Sequence, residues 1–98
     1  MNIIPLSYAN FLILWALQKP SHGYEIMKII MQKTNNIVTI GPTTMYRSLS
    51  YYLENGYIEL ISEEDNKKKY KLTSLGEKLL EEQISFLELL YNEIIKER

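Results

Sequence analysis

A mainly α domain with one small β-hairpin (α+β) is the fold class this sequence predicts, on three observations. Three apolar-periodic stretches come first, a charged turn then joins two alternating runs, and a long periodic stretch follows them. Ninety-eight residues with 46% hydrophobic content suit one domain, since domains commonly hold about 100 to 150 residues. A chain this short buries only about two-thirds of its unfolded surface, so a second copy would help it.

Ser7 caps the first helix, expected over residues 8–18, where Tyr8, Phe11, Leu12, Ile13, Leu14, Trp15 and Leu17 leave almost no polar face. That apolar circumference needs cover on several sides, and part of it is expected to meet a partner chain. Pro20 breaks the pattern. Ser21 then caps a second helix over residues 22–33, with Tyr24, Met27, Ile30 and Met31 inward and Glu25, Lys28 and Gln32 outward. Thr34, Asn35 and Asn36 end it, and residues 37–40 form a β-prone link able to add one residue pair of sheet. Between Gly41 and Gly56, Pro42 suits a first helical position and Asn55-Gly56 a left-handed stop. Met45, Leu49, Tyr52 and Leu53 are the core stripe of this third helix. Residues 57–63 and 69–73 alternate as strands around a turn at 64–67, and the return limb carries Lys67, Lys68, Lys69 and Lys71. Thr73 caps a last helix over residues 74–97, roughly 35 Å long at about 1.5 Å per residue. Its apolar band, from Leu75 and Leu79 to Phe86, Leu87, Leu90, Tyr91, Ile94 and Ile95, needs a second surface.

Three helices, a basic hairpin and a long helix describe a winged helix-turn-helix with a long C-terminal dimerisation helix. Residues 1–73 are then the DNA-binding unit, and residues 74–98 the dimerisation helix packed on the same domain. In that architecture the third helix enters the major groove and the wing touches phosphates. Thr43, Thr44, Arg47, Ser48 and Tyr51 lie opposite the core stripe, short hydroxyl donors and one guanidinium with no carboxylate before Glu54. Such a face suits phosphate oxygens and base edges. Tyr46 borders the stripe and joins them, ring inward and hydroxyl toward phosphate. Lys67, Lys68 and Lys69 complete the expected DNA surface, although hairpin lysines also keep edge strands from pairing.

Net charge is −1, but it is unevenly spread: residues 1–76 hold eight Lys/Arg against six Asp/Glu, and residues 77–98 three against six. A mildly basic body can dock a duplex through a local patch with little long-range steering. Absent cysteine removes disulfides, thiolate metal sites and thiol nucleophiles. The sequence shows neither the roughly 20-residue apolar run of a membrane span nor a basic-then-apolar leader, so the expected compartment is the cytoplasm, with no membrane partner. His22 is the only histidine and is read as a packed or capping residue, which leaves no metal shell. Glycine-rich phosphate loops are also absent, so neither cofactor nor catalysis is expected.

Three stretches then match a known family: PSHGYEI at residues 20–26, GPTTMY at residues 41–46 with Leu49 and Gly56, and KKYKLTSLG at residues 68–76. In order and spacing the chain resembles the PadR transcriptional regulators, in their short subgroup. The corresponding family patterns are hGYEI, SPGTLYPAL…L…GLI and RKYYxLTxxG, and the likeness covers nearly the whole chain. Gly41, Thr43 and Arg47 stand where the family usually carries serine, glycine and proline. The resemblance implies a homodimeric DNA-binding repressor with the last helix exchanging contacts across a two-fold axis. It also implies Thr44 and Tyr46 at the DNA, wing lysines on phosphate, and, in some members, a flat aromatic or drug-like effector in the apolar interface.

Phe11, Trp15, Phe86, Leu87, Leu90, Tyr91 and Ile94 are the candidates for that interface, either filled as plain dimer core or hollow around a planar aromatic effector. The expected partners are double-stranded DNA carrying a pseudo-palindromic operator, a second copy of the chain, and such an effector. Two rival readings stay open: a winged-helix protein–protein interaction module, and a small-molecule sensor without specific DNA binding.

Overall fold

The computed structural model describes residues 4–98. Its elements run α1 (Tyr8–Ala16), β1 (Ser21–His22), α2 (Gly23–Lys33), α3 (Pro42–Glu54), β2 (Ile58–Glu64), β3 (Lys67–Leu72) and α4 (Ser74–Lys96). The strands form one antiparallel sheet in the order β1-β3-β2. The fold is thus α+β, a winged helix with a long last helix. Residues 1–3 of the expected N-terminal unit lie outside the described residues.

Local chemistry sets most boundaries. The Ser7 hydroxyl accepts the Asn10 N–H at 3.1 Å and starts α1. Pro42 occupies the first turn of α3 behind Gly41, and Gly56 (φ 77°) takes the left-handed position after its end. Asp65 and Asn66 (φ 52° and 63°) make a two-residue turn of the type that matches strand twist. This tightens the expected four-residue turn and lengthens β3 back to Lys67. Thr73 accepts the Gly76 N–H at 3.1 Å, caps α4, and donates to the Gly56 carbonyl at 2.6 Å.

Three expectations need correction. The third strand comes from Ser21 and His22, paired with Tyr70 and Lys69, and not from residues 37–40. Helix α2 therefore starts one residue late, behind His22, whose N–H donates to Glu25 Oε1 at 2.8 Å. Ser21 Oγ donates instead to the Lys19 carbonyl. Second, α2 packs through Gly23, Ile26 and Ile30, so Tyr24 and Met31, one position further round, are exposed. Third, Leu53 falls at the edge of the α3 stripe and is exposed, leaving Met45, Leu49 and Tyr52 as its buried members.

The core gathers Ile13, Leu14 and Leu17 of the α1 region, Ile26 and Ile30 of α2, the α3 stripe, Ile58, Tyr70, and Leu79 and Leu80 of α4. Polar bonds tie α3 to α1 within it. Tyr52, 1% exposed, donates its hydroxyl to the Asn10 carbonyl at 2.7 Å, and Ser48 donates to Asn10 Oδ1 at 2.5 Å. Burial, and then the neighbouring Tyr51 and Tyr57, push the Tyr52 phenol well above its ordinary value near 10.0. Above about pH 10 the unfolded chain therefore releases a proton that the folded chain keeps, and the stability this group contributes falls as pH rises. Tyr52→Phe is expected to lose about 1 kcal/mol near neutral pH, from the hydroxyl's hydrogen bond. That deficit should shrink between about pH 9 and about pH 11. Paired urea titrations read it, and a deficit constant across that range contradicts the assignment.

Candidate nucleic-acid interface

Helix α3 presents Thr43, Thr44, Tyr46, Arg47, Ser50 and Tyr51 as exposed residues on the side away from its core stripe. Ser48 does not belong with them. It is 7% exposed and bonded to Asn10, because it lies one helical step from Met45 and Leu49 and α1 covers that side. The face therefore holds two threonines, two tyrosines, a serine and one guanidinium, with no carboxylate before Glu54 at the helix end.

The wing brings Lys67 and Lys68 out as exposed side chains, while Lys69 is half-buried. Strand register sets a carboxylate opposite three of the wing's cations: Glu64 pairs Lys67, Glu63 pairs Lys68 and Glu59 pairs Lys71. Only the last closes into an ion pair among the described residues, Lys71 Nζ to Glu59 Oε1 at 3.3 Å. The Lys67 and Lys68 ammonium groups are free of ion pairs there, but the facing carboxylates lower the wing's potential.

A groove of about 630 Å³ joins the two halves of this surface, bounded by the start of α2, by α3 and by the wing tip. Tyr46, Lys67 and Lys68 line it together, and Lys69 does not. His22, Tyr24, Ser50 and Asn66 line it too, and sequence reading had assigned none of them to the site. His22 holds the corner: its Nδ1 lies 3.2 Å from the Lys68 carbonyl, fixing the start of α2 against β3. Tyr24 is exposed, with Lys28 Nζ 5.4 Å from its ring centre, so a cation stands at the groove's edge. The signal for His22 and Tyr24 was the HGY run at positions 22–24, conspicuous in the sequence but silent about where the chain folds it. Behind the groove the Tyr70 phenol is raised by burial first, then by Tyr46 and Glu63.

The second set of candidates divides. Phe11, Phe86, Leu87 and Leu90 line one apolar pocket of about 440 Å³ with Pro5, Leu6, Ser7, Tyr8 and Gln83. Trp15 is half-buried against the core and lies outside that lining. Tyr91 and Ile94 are exposed further along α4, 64% and 55%, beside Leu89 and Ile95. No group of three or more His, Asp or Glu side chains converges among the described residues. No described helix is long and apolar enough to cross a membrane.

Three helices around one core, a hairpin wing beside the third, and an open hydroxyl-bearing face on that helix define a winged helix-turn-helix protein. The family model described as "Transcriptional regulator PadR-like family" matches residues 12–82. The transcriptional regulator YqjI of Escherichia coli is 37% identical over 74 residues, which cover 76% of this chain and 36% of that protein. This chain thus spans about a third of that relative's length. Among solved structures, a transcriptional regulator from Clostridium thermocellum superposes with a TM-score of 0.78 at 32% identity, covering 91% of this chain and 88% of the other. Bacillus subtilis PadR in complex with operator DNA superposes with a TM-score of 0.68 at 24% identity, covering 82% and 48%, a likeness of fold. The chain belongs to the PadR-like family of transcriptional regulators, proteins that regulate transcription and are not enzymes.

Proposed function

We infer that the protein is a homodimeric, sequence-specific double-stranded DNA-binding regulator of the cytoplasm, a repressor that occludes a pseudo-palindromic operator. Residues 4–73 supply the DNA-binding unit, and α4 supplies the two-fold contact. The observation that carries the reading is the exposed Thr43, Thr44, Arg47 and Tyr51 face, set beside a groove holding Tyr46, Lys67 and Lys68. In the major groove, Arg47 and the threonines contact base edges, while Tyr46, Lys67 and Lys68 hold phosphates. Lys69, half-buried and outside the groove, contributes less. The apolar band on α4 supports the dimer, and the pocket at Phe11 and Phe86 supports release by a small aromatic effector.

Selection of bound duplexes from a random pool tests the operator, which should show two-fold symmetry with half-sites about one helical turn or a multiple apart. On the selected duplex, Arg47→Ala is expected to cost about 1–3 kcal/mol of affinity and to relax preference at one position per half-site. Lys67→Ala is expected to weaken all duplexes alike and to flatten the salt dependence by about 0.9 log units per lost phosphate contact. Fluorescence anisotropy between about 50 and about 200 mM salt reads both. The carboxylates facing the wing lysines favour a second reading, a winged helix that binds protein and not DNA. A flat salt response with random and selected duplex alike decides for that reading.

A further inference from the structure

The groove between α2, α3 and the wing holds one side chain of a kind that changes charge near neutral pH: His22, the chain's only histidine, whose side chain is 31% exposed. Its Nδ1 stands 3.2 Å from the Lys68 carbonyl oxygen. A carbonyl oxygen can only accept, so Nδ1 carries the hydrogen. In the neutral ring Nε2 is then a bare acceptor that offers a phosphate oxygen nothing, and in the protonated ring it is a charged donor. Nε2 lies 3.9 Å from Glu25 Oε1, beyond hydrogen-bond reach, and that oxygen already accepts the His22 N–H at 2.8 Å. Among the described residues Nε2 makes no hydrogen bond, so a hydrogen placed there is open to a group entering the groove.

We propose that His22 is a proton-coupled phosphate ligand: the imidazole takes up a proton as duplex DNA enters the groove, and Nε2–H then donates to a backbone phosphate beside Lys67 and Lys68. Backbone pairing with Lys69 and the bond to the Lys68 carbonyl hold the ring in place before any ligand arrives. Charge around this corner makes one proton count. Glu25 of α2, Glu63 and Glu64 of β2 and Asp65 of the turn stand against Lys28 of α2 and Lys67, Lys68 and Lys69 of β3, four carboxylates to four ammonium groups. Tyr24, Tyr46 of α3 and Tyr70 of β3 add phenols to the same wall. With the ring neutral these charges balance, and with it protonated the corner is positive where a phosphate would sit. A phosphate close to Nε2 in turn holds the proton on the ring, so binding and protonation reinforce each other. The assignment rests on the DNA reading above and adds one residue and one proton to it.

The test uses the full chain and a random-sequence duplex at fixed ionic strength, because a phosphate contact needs no particular bases. Anisotropy is expected to show binding about tenfold tighter per protomer at about pH 5.5 than at about pH 7.5, the worth of one hydrogen bond to a charged group. The single imidazole resonance in the proton spectrum should move its titration midpoint upward when duplex is added, which a merely structural histidine would not do. His22→Asn keeps a donor for the Lys68 carbonyl, suits the position ahead of α2, and cannot take up the proton. It should bind within about twofold of the wild type at about pH 7.5 and lose the gain at about pH 5.5. His22→Gln should do the same and guards against a misplaced asparagine. A wild-type affinity flat across that range, an imidazole midpoint unmoved by duplex, or a gain that survives either substitution overturns the proposal. Repeating the titrations at two salt concentrations keeps the readings apart. Binding that weakens steeply with salt but ignores pH removes His22 alone, and the absence of salt-sensitive binding at either pH removes the DNA reading and this proposal with it.

Discussion

Gly76→Ala is expected to destabilise the protein by about 2–4 kcal/mol, although a glycine-to-alanine change inside a helix ordinarily gains up to about 1 kcal/mol. Two effects compete at this residue, in the first turn of α4, and distance decides between them. A Cβ added to Gly76 would stand 1.9 Å from the Tyr57 carbonyl oxygen and 3.0 Å from its carbon. Both atoms are backbone, so no side chain can swing aside. The same carbonyl accepts the Thr73 N–H at 3.1 Å, and Thr73 is the residue that caps α4 and bonds Gly56. Relieving the clash therefore pulls the start of β2 away from the start of α4 and breaks the bonds that hold the wing's base. Urea unfolding followed by far-ultraviolet circular dichroism measures the loss. An unchanged or raised midpoint would mean that the close approach of Tyr57 to Gly76 is not what this chain adopts.

Ile94→Asp is expected to dissociate the proposed dimer and to weaken binding to the proposed operator by about 10²-fold or more, because two linked half-site contacts become independent ones. Ile94 is 55% exposed and lies outside the apolar pocket, so the single chain should keep its stability within about 0.5 kcal/mol. Leu89, Leu90, Tyr91 and Ile95 are open with it over the last turns of α4, 42–64% exposed. A contiguous apolar surface of that kind on a small domain marks an interface. A carboxylate in its middle would be buried unpaired on pairing, several kcal/mol against association. Sedimentation velocity reads the mass, and anisotropy on a two-half-site duplex reads the affinity. A variant that stays dimeric, or a wild type that is monomeric while binding a symmetric operator tightly, removes α4 from the assembly.

Both substitutions probe places where a short pattern in the sequence stands for a long-range contact. The LTSLG run at residues 72–76 shows a cap and a glycine, but not that the glycine is required by Tyr57 across the base of the wing. The apolar band of α4 shows that a second surface is needed, but not that Leu79 and Leu80 are buried in the core while Leu75 and the residues from Leu89 to Ile95 stay open.

By itself the sequence determined the order and kind of the main elements, the hairpin, the caps at Ser7 and Thr73, and the polar face of α3. All of these follow from interactions within a few residues, where periodicity and turn chemistry act. Tertiary structure alone decided the rest. Ser48 leaves the open face of α3 because Asn10, 38 residues away, takes its hydroxyl. His22 joins a sheet and corners the groove because Lys68 lies against it, 46 residues on. Gln83 is buried on α4 because Leu6, 77 residues away, donates its N–H to the amide oxygen. The physical reason is shared: a residue's exposure and its spare hydrogen-bonding groups depend on what the distant chain brings to it, and no local spacing encodes that partner.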